Sequence, residues 1–271
     1  MNRPIPKLGT RKTGSPSGET LRGVTHLAIP VLTSGDLAVS EKWISFLERE
    51  FNINFQDEIT KAGSSFSSKL GELVEISLLA KNSSLTRIFL ISVGERKPSE
   101  LRKVGTILGR KVKATSATLL SLCAEDKSGA LVHLNALALS TYLWSAKGAS
   151  DKERKVETPT FLIGGDLTEI IAKSEVLVGA TWRARDLIHT PSNTKSPEWI
   201  SSKAKSEGKR LKLKIKVRSG RELAEFGGLR AVGNSSKKNP PRFVEISYQP
   251  TGSARKPHVV LVGKGITFDT G

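Results

Sequence analysis

The sequence has little of several features that would narrow its class. It holds one cysteine, Cys123, among 271 residues, which excludes an internal disulfide and favours a reducing compartment. Cys123 lies in the apolar run ATLLSLC, which predicts a small core residue rather than a nucleophile. No apolar run approaches the roughly 18 residues of a membrane-spanning helix. The sequence therefore predicts a cytoplasmic protein with no membrane association.

Motifs of four common kinds of functional site are also absent. The four histidines are scattered without H-x-x-x-H spacing, so a histidine-based zinc site is not predicted. The sequence contains no G-x-S-x-G elbow for a serine hydrolase and no G-x-G-x-x-G fingerprint for a dinucleotide. The stretch V-G-K-G-I-T fails as a phosphate loop because Gly265 stands where a magnesium-binding Ser or Thr is needed.

What the chain does have is an excess of positive charge, with a formal net charge of +17. Basic residues concentrate between Lys195 and Arg218, where LKLKIKV alternates lysines with apolar residues. One interpretation is an amphipathic edge strand whose lysines face water and discourage edge-to-edge pairing. The other is a positive surface that binds the phosphate backbone of nucleic acid. The alternation favours the edge strand, and the scarcity of aromatic residues among the lysines argues against stacking of single-stranded bases.

Apolar patterning along the chain predicts an α/β fold, since strand-like and helix-like segments alternate. Polar composition in residues 1–23 predicts a flexible basic tail, and the charged, glycine-containing stretch before Pro159 predicts a linker. The predicted organisation is a tail over 1–23, an α/β domain over 24–150, a linker over 151–159, and a second α/β domain over 160–271.

The stretch from His258 to Gly271 carries the clearest candidate site. Val259–Val262 predicts a strand buried on both faces, and the following glycines allow the backbone to turn closely around Lys264. Asp269 follows five residues later. A lysine and a carboxylate just beyond the carboxyl end of a buried strand lie where open α/β sheets place their ligands.

Three blocks in this half of the chain carry a family resemblance. VVLVGKGITFDTG resembles the segment around the first metal ligands of the leucyl (cytosol) aminopeptidases. ARDLIHTPSNTKSPEWI and GGLRAVGNSSKKNPPRFVEISYQP are similar to two further segments of that family, in the same order and spacing. The sequence departs from the family at His189, where Asn is usual, and at Ser235, where Gly is usual. The resemblance covers residues 160–271.

The resemblance implies a definite chemistry. Members of the family bind two divalent metal ions, here expected to be Mn²⁺ or Zn²⁺, about 3.5–4 Å apart around an activated water. By position, Lys264 would be a ligand to one metal, and Asp269 would bridge or contact both. Carboxylate ligands alone do not fix which metal binds. The implied activity is removal of N-terminal amino acids from peptides.

The resemblance also sets expectations for organisation. It implies a macro-like N-terminal α/β domain, the beginning of an α/β catalytic domain, and a hexamer for the intact family member. The family's second lysine, further carboxylate ligands and transition-state arginine have no counterpart in the sequence. We therefore assign no catalytic residue within the chain, and expect an incomplete site and an inactive fragment. The alternative function is a basic nucleic-acid-binding α/β protein with a vestigial peptidase site.

Overall fold

A computed structural model describes residues 5–79, 83–144 and 156–267. The chain divides into two compact units, the first ending at Ile188 and the second beginning at His189. None of the described helices is both long enough and apolar enough to cross a membrane.

A six-stranded sheet forms the centre of the first unit. Its strands are β1 (Lys7–Arg11), β2 (His26–Val31), β3 (Leu73–Ser77), β4 (Arg87–Ser92), β5 (Thr118–Ser121) and β6 (Thr160–Gly164). They lie in the order β1-β6-β5-β2-β4-β3, and β3 alone among them pairs antiparallel, at one edge. The central strands are nearly continuous apolar runs because helices cover both faces of the sheet.

Five helices pack on this sheet: α1 (Glu41–Phe51), α2 (Phe55–Ala62), α3 (Pro98–Lys111), α4 (Lys127–Ser140) and α5 (Thr168–His189). On one face, Phe89, Phe161 and their neighbours form a core with α3, α4 and α5. On the other face, Leu27, Ile29 and Leu162 form a second core with Trp43 and Phe55 of α1 and α2. The first unit is therefore a three-layer α/β structure, as the strand and helix alternation predicts.

The predicted tail does not hold for residues 7–11. They form β1, which pairs parallel with β6 along its full length. Farther along, the indole Nε1 of Trp43 donates a 2.8 Å hydrogen bond to the carbonyl of Thr13, and Leu21 is buried. The strand KLGTR has few apolar residues, which is typical of a strand at the edge of a sheet. It is held to β6 by backbone hydrogen bonds, which the amino-acid composition of the tail cannot predict.

The structure also places the boundary between units later than the predicted linker over 151–159. The strand β6 lies between β1 and β5, so it belongs to the sheet of the first unit. Helix α5 follows, and its Val178 and Trp182 enter the same core. The first unit therefore continues to Ile188. Residues 151–155 of the predicted linker lie outside the described residues.

The second unit is smaller and thinner. It contains α6 (Pro197–Arg210), β7 (Lys214–Ser219), a 3₁₀ turn (Gly220–Leu223), α7 (Gly227–Gly233) and β8 (Arg242–Ser247). Strands β7 and β8 pair antiparallel as a two-stranded ribbon. Ser196, followed by Pro197 and Glu198, is a sequence pattern that predicts the start of a helix. Ser196 does cap α6, its hydroxyl accepting a 3.1 Å hydrogen bond from the backbone amide of Trp199.

Candidate functional site

The block ARDLIHTPSNTKSPEWI connects helix α5 to helix α6. Its first part is the end of α5, and its last part is the start of α6. Between them, the amides of Thr194 and Lys195 donate hydrogen bonds of 3.0 and 2.9 Å to the carbonyl of Pro191. Thr190 is buried at the start of this turn. The block therefore contains a hydrogen-bonded turn between the end of one helix and the start of the next, which explains its run of turn-forming residues.

The second block forms α7, a turn and β8. A Cβ on Gly233 would lie 2.5 Å from Cγ of Pro241, so only glycine allows the turn to close at this point. After the turn, β8 pairs with β7 from Arg242 to Ser247. The glycine and the prolines of this block therefore have a structural role, which is to bring the chain back onto β7.

The third block does not form the strand that Val259–Val262 predicts. In the described part of the chain these residues belong to no strand or helix, and Leu261 and Val262 are each 92% exposed. A parallel strand is stable only when neighbouring strands satisfy its backbone and both faces are covered. The second unit offers the two-stranded ribbon alone, and the described residues do not pair with this segment.

Lys264 follows this exposed segment and is itself exposed. Within the described residues it makes no hydrogen bond or ion pair, and the positions of Gly263 and Gly265 are open, with no atom within 4 Å of an added Cβ. Asp269, the other predicted ligand, lies outside the described residues. The structure thus places one of the two candidate ligands and does not bring it together with the other.

Most other carboxylates of the second unit already have partners and are therefore not free to bind a metal ion. Four glutamates have partners: Glu198 pairs with Arg242, Glu207 with Arg210, Glu245 with Arg218, and Glu222 accepts from the amide of Ser219. Among the described residues no group of three or more His, Cys, Asp or Glu side chains is placed to bind a metal ion. The described residues alone therefore do not fit a two-metal cluster.

A buried serine–histidine pair in the first unit was not predicted from the sequence. His133 Nδ1 lies 3.1 Å from the carbonyl of Leu101 and donates to it, so Nε2 accepts from the hydroxyl of Ser121 at 2.9 Å. His133 and Ser121 are 0% and 1% exposed. Burial lowers the pKa of His133 to about 4. The pair resembles a nucleophile and its base, but its burial from solvent makes it a structural contact between α3, β5 and α4.

Cys123 agrees with the sequence prediction of a core residue. It is fully buried, and burial raises the pKa of its thiol to about 12. A thiol that stays protonated in a sealed core is not a nucleophile.

A model of the catalytic domain of the cytosol aminopeptidase family matches residues 182–271. The match begins in α5, close to the start of the second compact unit at His189. It contains all three of the blocks described above. The chain belongs to the cytosol aminopeptidase family.

Relatives with the family name match more of the chain. A probable cytosol aminopeptidase of Chlorobaculum tepidum is 31% identical over 234 residues, covering 76% of this chain and 46% of that protein. One of Corynebacterium glutamicum is 36% identical over 134 residues, covering 48% of this chain and 26% of that protein. The chain spans about half the length of the curated relatives it matches.

Solved structures show the same fold. A tomato leucine aminopeptidase mutant superposes with a TM-score of 0.78 at 19% identity, covering 100% of this chain and 56% of that chain. The bottromycin maturation enzyme BotP in complex with Mn superposes with a TM-score of 0.61 at 21% identity, covering 84% of this chain and 46% of that chain. The α/β fold of this chain is therefore that of the aminopeptidases.

Proposed function

We propose that this chain contributes the N-terminal α/β unit and part of the catalytic unit of a metal-dependent aminopeptidase, which releases N-terminal amino acids from peptides. The observation that supports this most directly is the match of residues 182–271 to the family's catalytic domain. Extended similarity to the Chlorobaculum tepidum relative, over 76% of the chain, supports the same proposal for the first unit.

The proposal assigns the metal-ligand role to Lys264 and Asp269. Two divalent cations, Mn²⁺ or Zn²⁺, would supply activation of the attacking water in the assembled enzyme. Lys264 is exposed and has no carboxylate beside it among the described residues. Additional donors are therefore required, and we expect the 271-residue chain by itself not to hydrolyse a leucine anilide in the presence of either metal.

A chimera tests the ligand assignment. Residues 182–271 of this chain would replace the matching segment of the Chlorobaculum tepidum relative, and leucine-anilide hydrolysis would be measured with added Mn²⁺ or Zn²⁺. We expect the chimera to be active and Lys264→Ala or Asp269→Ala to abolish turnover. The matched control is Lys256→Ala, which removes another exposed lysine of the same unit and should leave activity unchanged.

Two results would contradict the proposal. One is a folded chimera that hydrolyses the substrate equally well with and without Lys264. The other is turnover by the 271-residue chain alone that persists after metal chelation. Equilibrium dialysis with Mn²⁺ gives a second readout, since Lys264→Ala should lower the metal content of the chimera whether or not it is active.

The proposal extends to the setting of the enzyme. Peptides are the proposed substrates, the cytoplasm the proposed location, and a hexamer the proposed assembly of the full-length protein. Sedimentation of the active chimera tests the assembly, and a monomer with full activity would contradict it.

A further inference from the structure

Positive charge is distributed unevenly between the two units. Residues 189–271 contain 17 Lys and Arg and 6 Asp and Glu, a net charge of +11 out of +17 for the whole chain. The smaller unit thus holds most of the excess charge. A local excess of this size creates a field that attracts polyanions.

Three glutamates of this unit form ion pairs with arginines. The arginines are Arg210, Arg218 and Arg242. In contrast, Lys205, Lys209, Lys212, Lys214 and Lys216 are exposed, and within the described residues none of them makes an ion pair. Their charges remain available to a partner outside the chain.

The β7–β8 ribbon separates its apolar and basic residues onto opposite faces. Ile215 faces α6, since a Cβ added to Gly208 of that helix would overlap the Ile215 side chain. Side chains alternate along a strand, so Lys214 and Lys216 lie on the face turned away from α6. Both are exposed, and their partners on β8, Ser247 and Glu245, are also polar and exposed. We call this the lysine face.

Two aromatic rings fix one end of the lysine face. Phe226 and Phe243 stack with ring centroids 4.8 Å apart and an interplanar angle of 22°. The guanidinium of Arg218 lies 5.8 and 5.2 Å from the two centroids and also bonds to Glu245 at 3.2 Å. The rings are partly buried and engaged with each other and with Arg218, so they do not offer a platform for unstacked bases.

We propose that the lysine face is a sequence-independent binding surface for the phosphate backbone of double-stranded nucleic acid. Two residues of a strand span about 6.8 Å. Measured along the axis of a duplex, two nucleotide steps of one strand rise by the same distance, at about 3.4 Å for each step. An anionic membrane is the less suitable partner, because surface membrane binding needs exposed apolar side chains beside the charge. The exposed apolar residue of β8, Ile246, pairs with Ile215 and therefore lies on the opposite face from Lys214 and Lys216.

A salt titration of duplex binding tests the surface. The full chain would be titrated against a fluorescein-labelled DNA duplex of mixed sequence, following anisotropy between about 50 and 200 mM salt. The variant Lys214→Gln with Lys216→Gln should bind roughly tenfold more weakly at about 100 mM salt. It should also lower the slope of log affinity against log salt by about 2, one unit for each lost phosphate contact.

Matched variants separate this surface from the overall charge. Lys42→Gln with Lys173→Gln removes two exposed lysines of the first unit, which make no ion pair among the described residues, and should leave affinity nearly unchanged. Lys214→Arg with Lys216→Arg keeps the charge and should bind like the parent chain. Circular dichroism of each variant would show that the fold is retained.

Three results would overturn the proposal. The first is equal loss of affinity in the lysine-face pair and the first-unit pair. The second is an arginine pair that binds as weakly as the glutamine pair while both remain folded. The third is binding to vesicles of phosphatidylserine and phosphatidylcholine without binding to the duplex, which would make the membrane the partner.

Discussion

The two units differ most in how much apolar surface they bury. The first unit places side chains from both faces of a six-stranded sheet, such as Phe89 and Leu27, in cores covered by helices. In the second unit, Leu223 is the one fully buried apolar side chain among the described residues. The second unit also leaves Val259–Val262 exposed and its ribbon two strands wide.

This difference shows what a sheet needs in order to be stable by itself. A two-stranded ribbon is marginal in water, whereas three or more strands with covered faces stand alone. We therefore expect most of the stability of this chain to come from the first unit. The predictions below test that expectation by changing matched residues in both units and measuring each unit separately, through hydrogen exchange of its own peptides.

Truncation of a buried ring should show the largest difference. Phe89→Ala removes a side chain that is 1% exposed, and should lower the free energy of unfolding of the first unit by about 3–5 kcal/mol. Phe243→Ala removes a partly buried ring of the ribbon, and should cost the second unit only about 1 kcal/mol. Equal losses would show that the second unit is packed as tightly as the first.

Acid should destabilise the first unit through His133. Burial lowers its pKa from the ordinary 6.5 to about 4, so the unfolded chain takes up a proton at a higher pH than the folded chain. Stability is therefore fully present above about pH 6.5 and is lost as the pH falls towards 4, by about 3 kcal/mol. Burial also lowers the pKa of His26, which acts in the same direction.

The variant His133→Asn isolates this contribution. It should flatten the pH dependence of unfolding of the first unit between about pH 6.5 and 4 by close to one proton, while His26 still titrates. Urea unfolding at a series of pH values measures the effect. An unchanged slope would mean that His133 is protonated inside the folded unit.

Two helix glycines give the smallest and most selective comparison. A Cβ on Gly109 of α3 would overlap the backbone carbonyl of Leu137 in α4, which cannot move without the helix. Gly109→Ala should therefore cost about 1–3 kcal/mol. A Cβ on Gly208 of α6 would meet the side chain of Ile215, which can rotate away at the edge of a thin unit.

For Gly208→Ala the gain in helix propensity of about 1 kcal/mol offsets the displacement of Ile215, so the net change should stay within about 1 kcal/mol. Hydrogen exchange of the α3 and α6 peptides measures both variants. If Gly208→Ala lowered the free energy of unfolding as much as Gly109→Ala, Ile215 would not be able to move aside for the added methyl group.

Several elements could be predicted because their signals are local. The apolar run over β2 and the cap at Ser196 depend on neighbouring residues alone, and the structure confirms both. The alternation of LKLKIKV predicts a strand with lysines in water, which β7 confirms. The role of this strand in binding nucleic acid stays a prediction.

Other elements could not be predicted because their partners are far away in the sequence. Strand β1 contains only one apolar side chain, Leu8, and exists because β6 offers a backbone edge about 150 residues later. In the sequence His133 is an isolated histidine, and its contacts with Ser121 of β5 and Leu101 of α3 form only in the folded chain. The ring pair of Phe226 and Phe243 likewise forms only when β8 returns to β7.

At the candidate metal site, too, the sequence predicts less than the structure decides. The order of residues from His258 onward predicts Lys264 and Asp269 as ligands by family resemblance. The family match supports the resemblance, and the ligand roles stay a prediction. It also predicts a buried strand before them, and the described structure does not contain one. An apolar run becomes a strand only when neighbours pair with its backbone.

The sequence by itself thus determined the α/β class, the family, the concentration of charge in the second half, and the alternation of strands and helices in the first unit. These depend on residue types and local periodicity, which are written along the chain. Only the tertiary structure decided the boundary at Ile188, the buried environment of His133 and the stacking of Phe226 on Phe243. Each of these depends on contacts between segments that are far apart in the sequence, and such contacts form only when the whole unit folds.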